Sequence, residues 1–522
     1  MQVHIDIWRA LLLVFVVLFF CLFSLLGLWR HWGYLTSIND LGAFDQVVWM
    51  ASKGHSLVNT SIFGTPMHWL GFHFQPILSV FVLLYKITPT VNWFVLAQGA
   101  ALAVSAWPIF LLAERVTASG QAAFMWSLAY LCNPFLLNAA AWDFHPISIA
   151  VPLLSLGLLA IERKQAGLLI LASILLLACK EHMGLAVAGL GLLYAMRNRA
   201  WSMGLGIFLA GIAAFVLILA VIMPSYSLTV QHPMLGDNAG QLSRYSWLGG
   251  TPAEVIKTIV LEPILVSRTV VAIGGLEYLF LLLMPFLFLP LGGTSWLLPA
   301  AADMLVNLLS ANPMPRSIFS YHSAALIPVV TVAAINGGRR LADSVRCFDA
   351  VNLSHFVLFT SLILGYSFAP LPLYGSSNFW KADHVVSALD PAVPSIKTVI
   401  SDGTISAQAN IGTHFSQRES VYPYPEKVGK VEYVILRLKS PTQRLRPYNK
   451  AAFATLTHHL MMNPSVYLDS VSELLVESRY GVVYWQDPWL VLKRDAVSEA
   501  NVAQILDKIE LLREEWLGLS PQ

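Results

Sequence analysis

The chain has 522 residues, of which 56% are hydrophobic and 12% are charged, and its mean hydropathy is +0.64. Soluble domains carry about 25% charged residues, so this composition excludes an ordinary soluble protein and predicts a polytopic α-helical membrane protein. The net charge of +2 gives no sign of a nucleic-acid-binding surface. The four cysteines have no CxxC or metal-site spacing and predict no disulfide framework.

Apolar segments that approach the length of a membrane span recur through the first two thirds of the chain. A spanning helix needs about 20 mostly apolar residues, with about 17 as the lower limit, and we predict about eleven spans on this basis. The candidates, several of them short, are 10–29, 93–113, 121–140, 146–161, 167–179, 183–196, 203–223, 269–290, 295–309, 323–335 and 353–371.

Basic loops predict the orientation of these spans. With the N-terminus inside, nearly every inner loop carries Lys or Arg, as the positive-inside rule requires. The outer loops then begin with 30–75, which contains an interfacial helix at 41–52 and is followed by an interfacial or re-entrant helix at 76–87. The membrane domain covers 1–374. From 378 to 522 the composition becomes polar, and short apolar runs alternate with amphipathic stretches, which predicts a soluble α/β domain outside the membrane.

Two carboxylates, Asp40 and Asp45, follow the first span and open the first outer loop. Five positions on a helix turn about 500°, so the two side chains lie roughly 140° apart and do not share one face. One of them is therefore able to act in chemistry while the other caps or packs. The alternative is that Asp40 only caps the helix 41–52.

Other polar residues gather at the predicted outer ends of the spans. Ionisable residues at membrane depth are costly, so they usually line a cavity or pair with each other. We predict that Asp143, His145, Lys180, Glu181 and Arg316 line one outward-facing cavity together with Asp40 or Asp45. The full set of polar residues at these ends is larger. The residues concerned are His73, Gln75, Asp143, His145, Lys180, Glu181, His182, Arg316 and His322.

Several of these residues have simpler explanations. Asp143 is also a candidate cap for a helix that begins at Pro146. The stretch from Lys180 to His182 is also compatible with a hairpin tip in water. Arg316 suits a phosphate clamp or a headgroup anchor equally well.

A divalent cation is a possible cofactor. Carboxylate oxygens suit hard cations and histidine suits softer ones, so we take Asp143, His145, Glu181 and His182 as a tentative ligand set. The sequence has no Gly-rich phosphate loop, HExxH or GxSxG motif, so it offers no nucleotide site.

Four short stretches resemble a bacterial family of predicted integral membrane proteins that carries a domain of unknown function and is grouped with the GT-C glycosyltransferases. They are Asn39–Gln46, His73–Pro76, Asp143–Pro146 and Lys180–His182. The resemblance covers most of the chain.

This resemblance implies a GT-C-like layout, with a catalytic acid just after the first helix and an outer soluble domain. It implies that Asp40 or Asp45 is the catalytic carboxylate, and that Lys180, Arg316 and His322 hold the phosphate of a donor. Donors of GT-C enzymes are polyprenyl-phosphate sugars. We favour Asp40 as the base because it lies closest to the end of the first helix.

The function implied is sugar transfer from a polyprenyl-phosphate donor to an acceptor at the outer face of the bacterial cytoplasmic membrane. One alternative is a transporter or flippase of lipid-linked saccharides, which often shows internal repeats and polar residues at mid-membrane. Neither feature is visible in this sequence. The other alternative is a non-catalytic membrane scaffold. Membrane lipids are expected partners in every case.

Overall fold

The computed structural model describes residues 7–62, 64–227, 242–345, 348–373, 390–439, 456–477 and 479–517. The predicted domain boundary at 374–378 lies outside the described residues. In chain order, the helices are α1 (Ile7–Trp32), α2 (Leu41–Ser52), α3 (Trp69–Phe72), α4 (Ser79–Ile87), α5 (Asn92–Val104), α6 (Ala106–Thr117), α7 (Gly120–Leu131), α8 (Pro134–Ala140), α9 (Ile147–Glu162), α10 (Ala166–Leu177), α11 (Met183–Asn198), α12 (Trp201–Leu217), α13 (Met223–Ser225), α14 (Pro252–Leu261), α15 (Pro263–Ala272), α16 (Gly275–Leu283), α17 (Ala301–Leu309), α18 (Leu326–Ser344), α19 (Ala350–Phe368), α20 (Ala392–Ile400), α21 (Pro464–Val476) and α22 (Val502–Leu517). The strands are β1 (Val58–Asn59), β2 (Met67–His68), β3 (Ile405–Ala407), β4 (Val421–Pro423), β5 (Tyr433–Arg437), β6 (Tyr480–Gln486) and β7 (Trp489–Arg494).

The described residues form two compact units, and each is described by itself. The first unit contains residues 7–27, 69–77 and 92–373, with most of the helices. The second unit contains residues 28–68, 78–91 and 390–517, with α2, α4, α20–α22 and all seven strands. Most of the predicted first outer loop therefore belongs to the same unit as the C-terminal sheet.

Four helices of the described chain are long and apolar enough to cross a membrane. They are Ile7–Trp32, Asn92–Thr117, Trp201–Ser225 and Ala350–Phe368. A fifth candidate is the pair Pro263–Ala272 and Gly275–Phe286, which is bent by 71°. The chain is thus a mainly helical, multi-pass membrane protein, but these long spans are fewer than the eleven or so that the sequence predicts.

Local sequence explains why other predicted spans are short. The apolar segment 121–140 is interrupted where Asn133 accepts a hydrogen bond from the Phe135 amide and begins a new helix with Pro134 in its first turn. Helix α10 has 12 residues and therefore covers only about 18 Å of a hydrocarbon layer of about 30 Å.

Small residues allow α11 and α12 to pack closely in the first unit. A Cβ atom at Gly191 would lie 2.5 Å from the Phe208 amide nitrogen, and one at Gly204 would lie 2.5 Å from the Ala195 Cβ. Glycine at these positions therefore lets the two backbones touch, as membrane helices often do. The same contacts show that the two helices run antiparallel.

The sheet of the second unit has the strand order β4-β3-β5-β7-β6. Strand β3 runs parallel to β4 and β5, whereas β7 runs antiparallel to β5 and β6. All five residues of β5 are buried, and four of them are apolar or aromatic, as expected for a strand that is covered on both faces. The exception, Arg437, ends the strand.

Apolar side chains cover the two faces of this sheet. One cluster contains Tyr467, Val471, Ile509 and Leu512 from the amphipathic helices α21 and α22. The other contains residues of α20 together with Tyr34 and Ile38, which follow α1. The amide of Ile38 also donates a 2.9 Å hydrogen bond to the Ala409 carbonyl.

Helix α4 has apolar residues on both its buried and its exposed face. Phe81 and Tyr85 are buried, whereas Val80, Leu83 and Ile87 are exposed. An exposed apolar face of this kind is typical of a helix that lies on a membrane surface. The interfacial position of α2 and α4 stays a prediction.

Candidate functional site

The two predicted catalytic carboxylates have different surroundings in the second unit. Asp40 immediately precedes α2 and is partly exposed. Its side chain makes no capping hydrogen bond to the first turn of the helix. The structure therefore lends no support to a side-chain cap as the reason for an acid at this position.

Asp45 is buried, with 1% of the residue exposed. Its Oδ1 accepts hydrogen bonds from the Tyr85 hydroxyl at 2.7 Å and the Gln417 amide at 3.0 Å, and its Oδ2 accepts one from the Ser416 hydroxyl at 2.5 Å. Burial raises the pKa of Asp45, and the three hydrogen bonds oppose this rise. Asp45 thus connects α2 with α4 and with the chain between β3 and β4.

Gln46, the next residue, makes a similar connection that the sequence analysis did not anticipate. Its amide nitrogen donates to the Thr60 hydroxyl at 2.7 Å and to the Arg418 carbonyl at 3.0 Å. Its amide oxygen accepts from the Thr60 amide at 3.0 Å and from Asn59 at 3.1 Å. The only signal in the sequence was a glutamine within the largely apolar stretch 41–50.

A second buried polar group surrounds Arg437, and sequence reasoning missed it as well. The Arg437 guanidinium carbon lies 4.4 Å from the Tyr34 ring centroid and 5.7 Å from that of Trp489. Asp390 accepts hydrogen bonds from the Tyr34 hydroxyl at 2.9 Å and the Trp489 ring nitrogen at 3.0 Å. An arginine at the end of an apolar strand was the one local hint.

In the first unit, the buried carboxylate of Glu181 pairs with His73. The His73 Nδ1 lies 3.1 Å from Glu181 Oε1, and the Phe74 amide donates a 3.2 Å hydrogen bond to Oε2. Burial alone would raise the pKa of Glu181, but His73, Lys180 and His182 outweigh it and hold the pKa below its usual value. Glu181 is therefore a carboxylate at neutral pH.

Further predicted residues lie around this pair. Lys180 adjoins Glu181 in the chain, and burial together with the charges of Lys180 and His145 lowers the pKa of His73. The His145 ring stacks on Tyr321 with centroids 3.6 Å apart, and Tyr321 stacks on His322 at 4.3 Å. The first unit thus brings together His73, His145, Lys180, Glu181 and His322, which the sequence places in four separate loops. We refer to these five residues as the histidine cluster.

Gln98 of α5 supports the loop that carries His145. Its side-chain oxygen accepts hydrogen bonds from the His145 amide at 3.2 Å and the Ser148 hydroxyl at 2.7 Å. Its side-chain nitrogen donates to the carbonyls of Ala139 at 3.1 Å and Trp142 at 3.0 Å. Sequence reasoning did not select Gln98, although a lone glutamine in an apolar span is a recognisable signal.

The tentative metal ligands do not converge. No group of three or more His, Cys, Asp or Glu side chains able to hold a metal ion occurs within the described ranges. Glu181 faces His73, and His182 instead lies 3.6 Å from Asp303. The Nδ1 of His145 lies 2.9 Å from the backbone carbonyl oxygen of Asp143. The residue Asp143 is buried. The prediction of a shared metal site from these four residues is therefore corrected.

Arg316 has a structural role that differs from the predicted phosphate clamp. Its guanidinium donates hydrogen bonds to the backbone carbonyls of Asn307, Ser310 and Ile273. These carbonyls lie at the ends of α17 and α15, where no further turn of helix supplies a donor. Three of the five N–H donors of Arg316 are thus directed at the backbone, which is a structural role that the sequence did not reveal.

Gln75 also serves a local contact, since its side-chain oxygen accepts a 2.9 Å hydrogen bond from the buried Trp69 ring nitrogen. It shares the short segment 73–75 with His73 but has no contact with Glu181 comparable to that of His73. The two first-loop pocket residues predicted from the sequence therefore have separate partners.

The sequence matches the family model "Predicted membrane protein (DUF2079)" over residues 30–491. No curated protein compared with the chain matches it. The crystal structure of ArnT from Cupriavidus metallidurans bound to undecaprenyl phosphate aligns with a TM-score of 0.52 at 13% identity, covering 95% of this chain and 100% of that chain. The apo crystal structure of the same protein aligns with a TM-score of 0.49 at 12% identity, covering 94% and 99%. The first alignment shows a fold shared with ArnT, a GT-C glycosyltransferase.

Proposed function

Because the chain belongs to the DUF2079 family of predicted membrane proteins and has the fold of ArnT, we propose that it is a membrane glycosyltransferase. Its donor is a polyprenyl-phosphate-linked sugar, and the transfer takes place at the outer face of the bacterial cytoplasmic membrane. The N-terminus lies in the cytoplasm and the C-terminal sheet lies outside.

The observation that carries this proposal is the shared fold over nearly the whole length of both chains. The ArnT structure contains undecaprenyl phosphate, so a protein with this fold is able to hold a polyprenyl phosphate. Fold alone does not fix function, so the proposal also depends on the chemistry of the polar residues.

In the first unit, the histidine cluster is suited to the donor phosphate. Glu181 is already paired with His73, which leaves the partly exposed ammonium of Lys180 as a cation for a phosphate oxygen. His322 is also partly exposed and adds a hydrogen-bond donor. Arg316 is not part of this proposed set, because its donors bind backbone carbonyls.

In the second unit, Asp40 is the proposed general base. It takes the proton of the acceptor hydroxyl as that oxygen bonds to the anomeric carbon, while the bond from this carbon to the phosphate oxygen breaks. The electron pair of the broken bond stays on the phosphate. Asp45 is the less suitable base, since three hydrogen bonds already hold its oxygens and it is buried.

The test is a transfer assay with the full-length protein in vesicles. Polyprenyl-phosphate sugars of several kinds are supplied with a bacterial envelope extract as the source of acceptors, and the release of polyprenyl phosphate is measured. We expect release with at least one donor and a strong loss in Lys180→Gln. Movement of the intact lipid-linked sugar across the vesicle without release would instead support the flippase alternative and overturn the proposal.

A further inference from the structure

An apolar groove with a volume of 540 Å³ lies on the surface formed by α10, α11 and α12 in the first unit. We call it the α10–α12 groove. Eight of its ten lining residues are apolar or glycine, and the other two are serines. The lining residues include Ile174 of α10, Val187 of α11, and Ser202, Met203, Gly206 and Ala210 of α12.

The groove is open to the membrane. Helix α12 belongs to the candidate span Trp201–Ser225. Only 17% of the most apolar 18-residue stretch of this span is buried. On the two sides of the groove, Ile174 is 60% exposed and Met203 is 42% exposed. An apolar surface of this kind, within a span, is in contact with lipid chains.

One end of the groove is strongly basic. Helix α10 begins just after Arg163 and Lys164, and α12 begins just after Arg199. Helix α11 runs antiparallel to α12, and Asn198 at the end of α11 donates a 3.0 Å hydrogen bond to the Ile161 carbonyl, shortly before α10 begins. The N-termini of α10 and α12 therefore lie at the same end, where their dipoles add positive charge. Arg163, Lys164 and Arg199 are exposed, and none forms an ion pair with a described residue, whereas Arg197 nearby lies 3.9 Å from Glu162.

The length of the groove matches one leaflet. Its lining on α12 extends from Ser202 to Ala210, which corresponds to about 12 Å along the helix. Half of a hydrocarbon layer of about 30 Å is about 15 Å. A lipid chain that starts at the basic end would therefore occupy the groove without crossing to the other leaflet.

We propose that the α10–α12 groove binds one anionic phospholipid. One acyl chain lies in the groove, and the headgroup phosphate binds Arg163, Lys164 and Arg199. Apolar grooves that end in basic residues between membrane helices are suited to anionic headgroups. The site goes beyond the proposed transfer reaction and does not depend on it.

A groove variant and a control variant place the same side chain at two different positions. A Cβ atom added at Gly206, in the groove, meets no atom within 4 Å, whereas Leu362 of α19 is 49% exposed and does not line the groove. Gly206→Phe therefore fills the groove without a clash at the backbone, and Leu362→Phe adds the same side chain to another exposed apolar surface. Gly206→Leu replaces Gly206→Phe if the larger side chain prevents folding.

The experiment measures lipid binding to the delipidated full-length protein by native mass spectrometry. The probes are dioleoyl phosphatidylglycerol and dioleoyl phosphatidylcholine, which differ in headgroup charge but not in chains. We expect tighter binding of phosphatidylglycerol, loss of that binding in Gly206→Phe, and wild-type binding in Leu362→Phe. Each change of Arg163, Lys164 or Arg199 to Gln should weaken it about five-fold, whereas Arg339→Gln in α18 should have no effect.

Three results would overturn the proposal. The first is equal affinity for the two phospholipids in the wild-type protein. The second is undiminished phosphatidylglycerol binding in the folded groove variant. The third is displacement of phosphatidylglycerol by undecaprenyl phosphate bound more tightly at the same groove, which would assign the site to the polyprenyl lipid.

Discussion

The Ser416 hydroxyl donates a 2.5 Å hydrogen bond to the carboxylate of Asp45, across 371 positions of the chain. Tyr85 and Gln417 donate to the same carboxylate, so one buried acid joins three separate parts of the second unit. Asp40, five residues earlier, has no capping bond and is partly exposed. We therefore expect a substitution of Asp45 to lower stability and a substitution of Asp40 to lower activity.

Asp45→Ala should destabilise the second unit. The substitution removes the carboxylate that accepts from Tyr85, and Ser416 and Gln417 keep only their bonds to the Thr413 and Pro89 carbonyls. An unsatisfied buried donor costs about 1–3 kcal/mol, and the lost side chain also leaves a cavity. We expect a loss of about 3 kcal/mol or more, measured by thermal or denaturant unfolding of the purified protein. Asp40→Ala, the matched control, should change stability by less than about 1 kcal/mol. Equal losses in the two variants would contradict this assignment.

Asp40→Asn should abolish most of the transfer activity while the protein remains folded. Asparagine keeps the shape of the side chain but cannot accept the proton, and a general base contributes about 10²–10⁴-fold to a rate. The measurement is turnover in the vesicle assay, with the unfolding temperature as the control for folding. Wild-type turnover in this variant, together with a loss in a folded Asp45→Asn protein, would assign the base to Asp45.

The sequence was sufficient for the class of protein and for many residues of the histidine cluster. The composition alone predicts a membrane protein, because 12% charged residues are too few for a soluble chain of this size. His73, His145, Lys180 and Glu181 stand out because ionisable residues are rare at the ends of apolar segments. The structure brings these four residues together in one unit.

Other features depend on contacts that no local pattern reveals. Nothing in the sequence connects Asp390 with Arg437, although Arg437 ends an apolar run, and only the fold places both beside Tyr34. In the sequence, Arg316 resembles a phosphate ligand. In the fold, its guanidinium donates a hydrogen bond to a carbonyl at the end of α17. Apolar composition also does not reveal a break within a predicted span, such as the one at Asn133.

Arg316→Ala and Lys180→Ala should have opposite effects. Removal of Arg316 leaves three backbone carbonyls without a donor and should lower the stability of the first unit by about 3 kcal/mol. Removal of Lys180 should leave stability nearly unchanged but weaken polyprenyl phosphate binding roughly 10–150-fold, the effect of one lost charged hydrogen bond. Unfolding temperature and lipid affinity are measured on both proteins. Weak binding in a stable Arg316→Ala protein would restore the clamp role.

A buried histidine makes the stability of the second unit depend on pH. His414 stacks on His31 with ring centroids 4.1 Å apart, and its Nε2 lies 3.2 Å from the His31 carbonyl oxygen. Burial lowers the pKa of His414 well below its usual value, and His31, Lys397 and Arg437 act in the same direction. His414 therefore binds a proton less readily in the folded chain than in the unfolded chain.

The sign of the effect follows from this difference. Histidine in an unfolded chain has a pKa of about 6.5, so His414 favours the folded state above that pH and progressively less below it. We expect the unfolding temperature of the wild-type protein to fall between about pH 7.5 and about pH 5. His414→Phe keeps a ring against His31 but removes the titrating group, so its unfolding temperature should vary less over the same range. His55→Phe changes an exposed histidine of the same unit and should leave the pH dependence unchanged. A pH dependence that is as steep in His414→Phe as in the wild type would assign it to other groups.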